Sequence, residues 1–161
     1  MASVRIRPAT PGDAEAITRI YTQSAELHAG LDPERNHVPD RIGIEERYRR
    51  GRQHPDQDSP AITLVAETDG TVIGFLDARL IQPFDPMYRP MTYCFVADIA
   101  VAESHRSEGI GEQLMRAGEA WAKEHGADFV SLEYHIGNTR AASFYERLGY
   151  RPASVVAIKR L

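Results

Sequence analysis

The amino-acid sequence predicts an α/β fold in which helices flank a sheet, and three local patterns carry that prediction. Apolar residues recur at helical spacing behind a helix-start sequence at Thr10–Asp13. Two apolar, β-branched runs flank Asp69-Gly70, a pair typical of a two-residue hairpin because that turn requires positive φ. Farther along, a strand-like run meets an amphipathic helix through Gly109 and Gly111. Strands interleaved with helices define the α/β class.

The elements follow one another without repeats or a recognisable linker. In chain order, the first predicted elements are a strand at Val4–Arg7, a helix from Thr10 to about His28, a helix from about Asp40 to Gly51, and hairpin strands at Ala61–Ala66 and Thr71–Leu76. Next come a strand at Thr92–Val101, the helix that opens at Gly109 and ends near Gly126, a strand at Phe129–Tyr134, a helix capped by Asn138 and ended by Gly149, and a final strand at about Ser154–Leu161.

Length and composition narrow the class of protein. A chain of 161 residues has the size of one domain, and we expect a single domain over 1–161. With 42% apolar and 26% charged residues it is typical of a soluble globular protein. A net charge of −4 lacks the cationic excess of nucleic-acid or anionic-membrane binders, so neither partner is expected. The absence of an 18-residue apolar run and of a signal-peptide core predicts a cytoplasmic protein.

The segment Val101–Gly111 has features that suit an anionic ligand. Gly109 and Gly111 let the backbone approach a bulky anion without a Cβ in the way. The following helix offers unpaired N–H groups and the positive end of its dipole, and Arg106 adds a cation. A tight strand-to-helix turn without a ligand is the alternative interpretation. A Rossmann fingerprint fits less well because Leu114 stands where its third glycine belongs, and no P-loop Gly-Lys-Ser/Thr follows.

Several motifs together resemble the GNAT superfamily of N-acetyltransferases. Arg106-x-x-Gly109-x-Gly111, after a strand that ends at Val101, is similar to the family's acetyl-CoA motif. The run from Asn138 to Tyr150 is similar to its second motif, with Ala141 or Ala142, Phe144, Tyr145, Leu148 and Gly149 in the expected places. The opening Ile6–Asp13 and the hairpin Val65–Gly74 are also similar to the family. The resemblance therefore spans nearly the whole chain in the family's order.

The resemblance implies a fold and a donor site. The sheet would be mixed and largely antiparallel, with six to seven strands, about four flanking helices and a V-shaped splay between strands four and five. The pantetheine arm of acetyl-CoA would enter that V and pair with Ile99, Ala100 and Val101. The diphosphate would rest on the turn formed by Arg106, Ser107, Glu108, Gly109, Ile110 and Gly111, with Asn138 and Tyr145 completing the donor-binding set.

Three residues are candidates for catalysis. In the family, a tyrosine at the place of Tyr145 lies near the coenzyme's sulfur and can protonate the departing thiolate, although this residue also shares a helix face with core positions. Asp98 on strand four and Glu133 on strand five are the candidates for the general base, because both strands border the V. The alternative for each carboxylate is a structural role, bonded to backbone or to a neighbouring arginine.

The histidines and the single cysteine indicate neither a metal site nor a covalent acyl-enzyme. The six histidines contain no i, i+4 pair and the chain has one cysteine, so neither a metal site nor an intrachain disulfide is expected. His28 and His37 bracket a loop that lines the acceptor pocket in similar proteins, and His135 follows strand five. We expect Cys94 to be a small buried residue rather than an acyl-accepting nucleophile.

The sequence thus predicts an acetyl-CoA-dependent N-acetyltransferase that acetylates a primary amine by direct attack in a ternary complex. Two other hypotheses are an acyl-CoA-binding module without turnover and a nucleotide-binding regulatory domain unrelated to CoA. The acceptor, a small molecule or a protein amine, is left open; residues 29–60 and 82–91 are where its specificity is expected. A homodimer is a common assembly of similar proteins.

Overall fold

A computed structural model of the chain describes residues 3–51 and 59–161. The strands are β1 (Arg5–Pro8), β2 (Ala61–Thr68), β3 (Thr71–Ile81), β4 (Tyr93–Val101) and β5 (Phe129–Leu132). The helices are α1 (Ala14–Leu31), α2 (Arg41–Arg49), α3 (Ile110–Glu124) and α4 (Thr139–Arg147). No helix among these residues is long and apolar enough to span a membrane. Part of the predicted specificity stretch, residues 52–58, lies outside the described residues.

The helix ends follow the local chemistry of the sequence. Asp40 and Asn138 precede α2 and α4, and each side chain accepts a hydrogen bond from a backbone N–H three residues later, at 3.2 and 3.1 Å. Gly126 and Gly149 follow α3 and α4 with φ of +77° and +89°. Glycine adopts this left-handed conformation without a steric penalty, so both helices stop where the sequence predicts.

The sheet is mixed, as predicted, with the strands in the order β1-β2-β3-β4-β5. The first four strands pair antiparallel, and β4 pairs with β5 in parallel. The β2–β3 hairpin turns through Asp69 and Gly70, whose φ values of +47° and +74° confirm the predicted positive-φ turn. The parallel pair is joined through α3, as a parallel connection requires.

Two apolar cores lie on opposite faces of the long central strand β3. Leu76 faces a core completed by Leu114 and Met115 of α3, whereas Phe75 faces a second core with Ile17 and Ile20 of α1. Each of these side chains is at most 1% exposed. The alternation of successive β3 residues between the two faces follows from the pleat of a strand.

The prediction of six to seven strands is wrong for the described residues, which form five. The expected last strand, Ser154–Leu161, has no regular secondary structure, and the whole segment 151–161 is exposed. Its β-branched residues predict a strand, but a strand forms only beside a partner, and this segment has no backbone hydrogen bond to another described residue. β5 also ends at Leu132 rather than Tyr134, because there it leaves β4.

Candidate active site

The splay predicted between the fourth and fifth strands is present. The β4–β5 pairing runs from Tyr93↔Phe129 to Val96↔Leu132 and stops there, while β4 continues to Val101. From Ala97 onward, the edge of β4 that faces away from β3 therefore has no strand partner in the part of the chain that the structure describes. Backbone donors and acceptors along this edge are available to a ligand, except the Val101 carbonyl, which accepts a hydrogen bond from Arg106 Nε.

A β-bulge at Ala97 decides which face each later β4 residue occupies. Asp77 of β3 is opposite Asp98, whereas its neighbour Ala78 is opposite Val96, so Ala97 is the extra residue. Val96 packs in the core beneath α3. Without the bulge Asp98 would share that face, because residues two apart point the same way. The bulge turns Asp98 instead toward the α2 side.

Asp98 and the residues around it form a polar group on that side. The Asp98 carboxylate lies 3.8 Å from the guanidinium of Arg47 on α2. Asp77 is 1% exposed, and its carboxylate accepts hydrogen bonds from Thr63 at 2.5 Å and Tyr48 at 3.3 Å. Asp98 is thus tied to α2, whereas Glu133, just beyond the end of β5, is exposed and has no ion pair or side-chain hydrogen bond to another described residue.

The turn between β4 and α3 contains two residues with positive φ. Ser107 and Gly109 adopt φ of +71° and +79°, and Gly109 precedes the first turn of α3. Alternation of left-handed and other conformations points successive N–H groups to one side of the backbone. A Cβ built on Gly109 would meet no atom within 4 Å, so the space beside the turn is open.

Two arginines flank this turn, one of which sequence reasoning missed. Arg106 donates from Nε to the Val101 carbonyl at 3.2 Å and pairs with Glu103 at 3.2 Å. Arg140, in the first turn of α4, donates to the Ser107 hydroxyl at 3.2 Å. A positively charged side chain is unfavourable near the N-terminus of a helix, because the helix dipole is positive there. The position of Arg140 in the first turn of the predicted helix could therefore have indicated that it binds a partner outside that helix.

Gly111 and Asn138 have structural partners of their own. A Cβ on Gly111 would lie 3.3 Å from the Phe144 ring of α4, so this glycine allows α3 and α4 to approach. The side-chain oxygen of Asn138 caps α4 through the Ala141 N–H. Glu108 and Ile110, also in the predicted donor set, are exposed and buried respectively.

Tyr145 is held by aromatic packing beside the splay. Its side chain is 7% exposed, and its ring lies 5.6, 5.1 and 5.9 Å from those of Tyr134, Phe144 and Tyr150. Burial is the main cause that raises the pKa of the Tyr145 phenol to about 12, with a smaller contribution from Tyr134. The phenol therefore stays protonated at neutral pH and can donate a hydrogen bond.

The end of α1 also approaches the chain beyond β5. His135 lies 3.8 Å from the carboxylate of Asp32, which also pairs with Arg35. The hydrogen bond from Arg35 is the main cause that lowers the pKa of Asp32. The loop after α1 and the loop after β5 thus meet. The backbone carbonyl of His28 accepts a hydrogen bond from the Asp32 N–H at 3.0 Å, whereas no side-chain hydrogen bond or ion pair is described for His28 or His37.

Cys94 lies in the core, as expected. The side chain is fully buried, and burial raises the pKa of its thiol to about 11. A thiol that stays protonated and inaccessible is a poor nucleophile.

Comparison with known proteins identifies the family to which this architecture belongs. The model of the acetyltransferase (GNAT) family matches residues 17–150. The chain is a member of the GNAT family. Like its relatives, this GNAT protein is an N-acetyltransferase, an acyltransferase of a family that takes its acetyl group from acetyl-CoA.

Relatives in sequence carry several acetyltransferase names. A streptothricin acetyltransferase of Streptomyces lavendulae is 30% identical over 92% of this chain and 82% of its own. An N-alpha-acetyltransferase of Sulfurisphaera tokodaii is 34% identical over 60% of each chain, so the match spans less than two thirds of that relative.

Solved structures share the fold over almost the whole chain. A variant of the BH1408 protein of Bacillus halodurans superposes with a TM-score of 0.87 at 25% identity, covering 98% of this chain and 99% of that one. An aminoglycoside N-acetyltransferase in complex with CoA gives a TM-score of 0.73 at 20% identity, covering 100% and 96%.

Proposed function

We propose that this GNAT protein transfers the acetyl group of acetyl-CoA directly to a primary amine within a ternary complex. The observation that carries the proposal is the splay itself. Beyond Val96 it leaves the β4 edge without a strand partner among the described residues, and Ile99 and Val101 of this edge pack against the apolar cluster that contains Tyr145. The turn into α3 follows the same edge, and Asp98 and Glu133 lie on or just beyond the two strands that separate. An N-acetyltransferase needs these groups to hold a donor and activate an amine.

The donor site comprises the β4 edge and the turn that follows it. Backbone groups of Ile99, Ala100 and Val101 would pair with the amides of the pantetheine arm, and one of their N–H groups would polarise the thioester carbonyl. The N–H groups of the turn from Arg106 to Gly111 would hold the diphosphate. The positive-φ residues support this fit, and Arg140 adds a second cation.

Glu133 is the better candidate for the general base. A free alkylammonium at pH 7 must lose its proton at a cost of about 4 to 5 kcal/mol, so a carboxylate that accepts the proton, directly or through water, assists attack. Glu133 is exposed beyond β5 and carries no described ion pair, whereas Asp98 lies beside Arg47. We assign Asp98 a positioning role that holds α2 beside the splay.

Tyr145 would donate to the sulfur as the amine displaces it. The new N–C bond forms as the C–S bond breaks, and the thiolate leaves with the electron pair. A phenol with a pKa of about 12 is a weaker acid than a thiol near 8.5, so hydrogen bonding contributes more than complete proton transfer.

Direct attack is favoured over a covalent acetyl-enzyme by the position of Cys94. The thiol is buried in the core with a raised pKa, so it offers no route for an acetyl group through the protein. The expected kinetic pattern is a set of intersecting double-reciprocal lines when acetyl-CoA and amine are varied together.

An acceptor screen tests the proposal. Free thiol released from acetyl-CoA is measured with streptothricin, aminoglycosides, polyamines, amino acids and peptides with free N-termini, the first two classes being suggested by the names of relatives. Amine-dependent thiol release with intersecting lines supports direct transfer. Parallel lines would contradict it, and tight acetyl-CoA binding without turnover on any amine would indicate a binding module.

A further inference from the structure

The end of α1 contacts the chain between β5 and α4 at two points. Nε2 of His135 lies 3.8 Å from the carboxylate of Asp32, the residue that follows α1. A Cβ on Gly137 would lie 3.7 Å from the side chain of Leu31, the last residue of α1. Both contacts join segments that are distant in the sequence, so only the folded chain brings them together.

The His135 ring has a defined orientation relative to the turn that follows it. The Gly137 N–H donates to Nδ1 at 3.0 Å, and the Asn138 N–H donates to the His135 carbonyl at 2.8 Å. Because Nδ1 accepts a hydrogen bond, the hydrogen of the neutral ring is on Nε2, the nitrogen that faces Asp32. The turn therefore presents a donor to the carboxylate at the end of α1.

Asp32 is fixed at the end of α1 by its own hydrogen bonds. Its side chain is 13% exposed and accepts a hydrogen bond from Arg35 at 2.5 Å. Its N–H donates to the carbonyl of His28 at 3.0 Å, and its carbonyl accepts from the Asn36 N–H at 2.9 Å. The carboxylate is therefore held at a defined place, from which the chain continues into residues 33–39.

The turn that contains His135 connects two groups to which we assign roles in catalysis. Glu133 lies two residues before His135 in the sequence. On the other side of the turn, Asn138 caps α4 through the Ala141 N–H at 3.1 Å. This helix carries Tyr145. A displacement of the turn would therefore move both groups relative to the end of α1.

Side chains, rather than backbone hydrogen bonds, locate this turn. Between Tyr134 and Gly137, no backbone hydrogen bond reaches another element in the part of the chain that the structure describes. The Tyr134 ring packs against that of Tyr145 at 5.6 Å and so joins the turn to α4. The contact of His135 with Asp32 joins it to α1.

We infer that His135 and Asp32 are a positioning pair for the transfer reaction. Their contact fixes the turn between Glu133 and α4 against the end of α1. It thereby sets the position of the proposed base relative to residues 33–39, in the stretch where acceptor specificity is expected. The inference rests on the proposed function, because the roles of Glu133 and Tyr145 come from it. Neither residue of the pair is assigned a contact with the reacting atoms.

The expected effect of the pair is on rate rather than on stability. A partly exposed contact at 3.8 Å contributes little to the free energy of unfolding. A displacement of about 1 Å at a reacting group, by contrast, can lower the rate roughly a hundred-fold. Loss of the pair should therefore reduce turnover of the amine far more than it lowers Tm.

His135→Asn and Asp32→Asn test the pair with the amine that gives the fastest thiol release. Asparagine at position 135 keeps an acceptor for the Gly137 N–H but is too short to reach Asp32. We expect either variant to lower kcat/KM for the amine roughly ten- to a hundred-fold, with acetyl-CoA affinity and Tm nearly unchanged. The double variant should be no slower than the slower single variant, because both substitutions remove the same contact.

Two further variants separate the pair from its surroundings. His135→Gln places a side-chain amide near the position of Nε2 and should recover most of the activity that His135→Asn loses. Glu34→Gln removes the exposed pair with Arg160 in the same loop and should leave kcat/KM unchanged. Equal losses in the two His135 variants, or effects that multiply in the double variant, would overturn the inference.

Amide hydrogen exchange measures the contact without an acceptor. Asp32→Asn should speed exchange of the Gly137 and Asn138 amides roughly fivefold or more, while amides of β3 keep their wild-type rates. Unchanged exchange at these two amides overturns the inference. Faster exchange with unchanged kcat/KM also overturns it, because the pair would then be structural only. If the wild type acetylates no amine, the proposed function fails, and the exchange result still decides whether the pair holds the turn.

Discussion

The ring of Tyr145 packs against other side chains, whereas its hydroxyl is the group proposed to act in catalysis. Its ring is held by three aromatic neighbours, and its hydroxyl has no described hydrogen-bond partner. Tyr145→Phe keeps the ring, so we expect kcat to fall roughly ten- to a thousand-fold while Tm and acetyl-CoA affinity change little. Tyr150→Phe is the matched control. It loses the bond to Glu119 and should lower Tm without a comparable fall in kcat.

The raised pKa of Tyr145 adds a second expectation. Because burial raises this pKa to about 12, the phenol stays protonated across the working range, and kcat should show no descending limb near pH 10 from this group. A descending limb at or below that pH that disappears in Tyr145→Phe would contradict the assignment. The profile should be recorded where chemistry, rather than product release, limits turnover.

The roles proposed for Glu133 and Asp98 can be distinguished by the pH dependence of kcat/KM in variants of each residue. If Glu133 accepts the amine proton, kcat/KM rises with pH through an apparent pKa below that of the free amine, and Glu133→Gln flattens or shifts that limb. Asp98→Asn removes the partner of Arg47 and should change KM for the acceptor more than the shape of the profile. If both variants keep the wild-type profile, neither carboxylate is the base.

At the scale of elements, the turn from β4 into α3 is tested at Gly109. Its φ of +79° disfavours any side chain, and a Cβ there would project into the open space proposed for the diphosphate. Gly109→Ala should cost about 1 kcal/mol of stability and weaken CoA binding at least tenfold. Gly126→Ala, with φ +77° and equally open surroundings at the other end of α3, should show the same loss of stability with unchanged CoA affinity. Equal CoA affinity in both folded variants would remove the turn from the donor site.

A substitution at Gly111 does not test donor binding alone, because this glycine also lies at the contact between α3 and α4. A Cβ there would meet the Phe144 ring at 3.3 Å, so Gly111→Val presses α3 away from α4. We therefore expect this variant to lose stability as well as donor affinity.

Arg7 joins β1 to the turn before α1 and to β2. It forms two hydrogen bonds with Asp13, at 2.8 and 2.9 Å, and binds Glu67 at 2.6 Å. The hydrogen bond from Arg7 is the main cause that lowers the pKa of Asp13 to about 2, from 3.8 for an unperturbed carboxyl. The stabilisation is therefore complete above pH 3.8 and is lost as pH falls toward 2.

Asp13→Asn should lower the free energy of unfolding by about 1 to 3 kcal/mol at pH 7. The difference from the wild type should shrink below pH 4, as measured by urea denaturation. Glu45→Gln, which removes an exposed pair with Arg49, should cost no more than about 0.5 kcal/mol. A difference between Asp13→Asn and the wild type that persists at pH 2 would contradict the linkage.

At the scale of the whole molecule, the two cores share β3 and should unfold together. Leu76 and Phe75 are adjacent in the chain yet belong to different cores. Loss of β3 would therefore expose both cores at once. We expect one calorimetric transition whose van't Hoff and calorimetric enthalpies agree. Two resolved transitions would show that the two cores unfold independently.

Local sequence chemistry determined most of the elements and the place of the turn that we propose for the donor. Caps at Asp40 and Asn138, glycines at 126 and 149, and the Asp69-Gly70 turn each act through neighbours in the chain, so their effect is visible without a fold. The resemblance to the family then predicted that the strands form a mixed sheet with a splay between the fourth and fifth strands. The final strand at Ser154–Leu161 failed as a prediction because strand formation depends on a partner edge, which local pattern does not specify.

The tertiary structure alone decided how the site is assembled. The bulge at Ala97 reverses the face of Asp98 and brings it to Arg47, an effect of register between two strands that no single segment encodes. The position of Arg140 beside Ser107 depends on how α4 packs against the turn. Sequence determines interactions between near neighbours along the chain, whereas contacts between distant segments depend on pairing register and packing, which only the folded molecule sets.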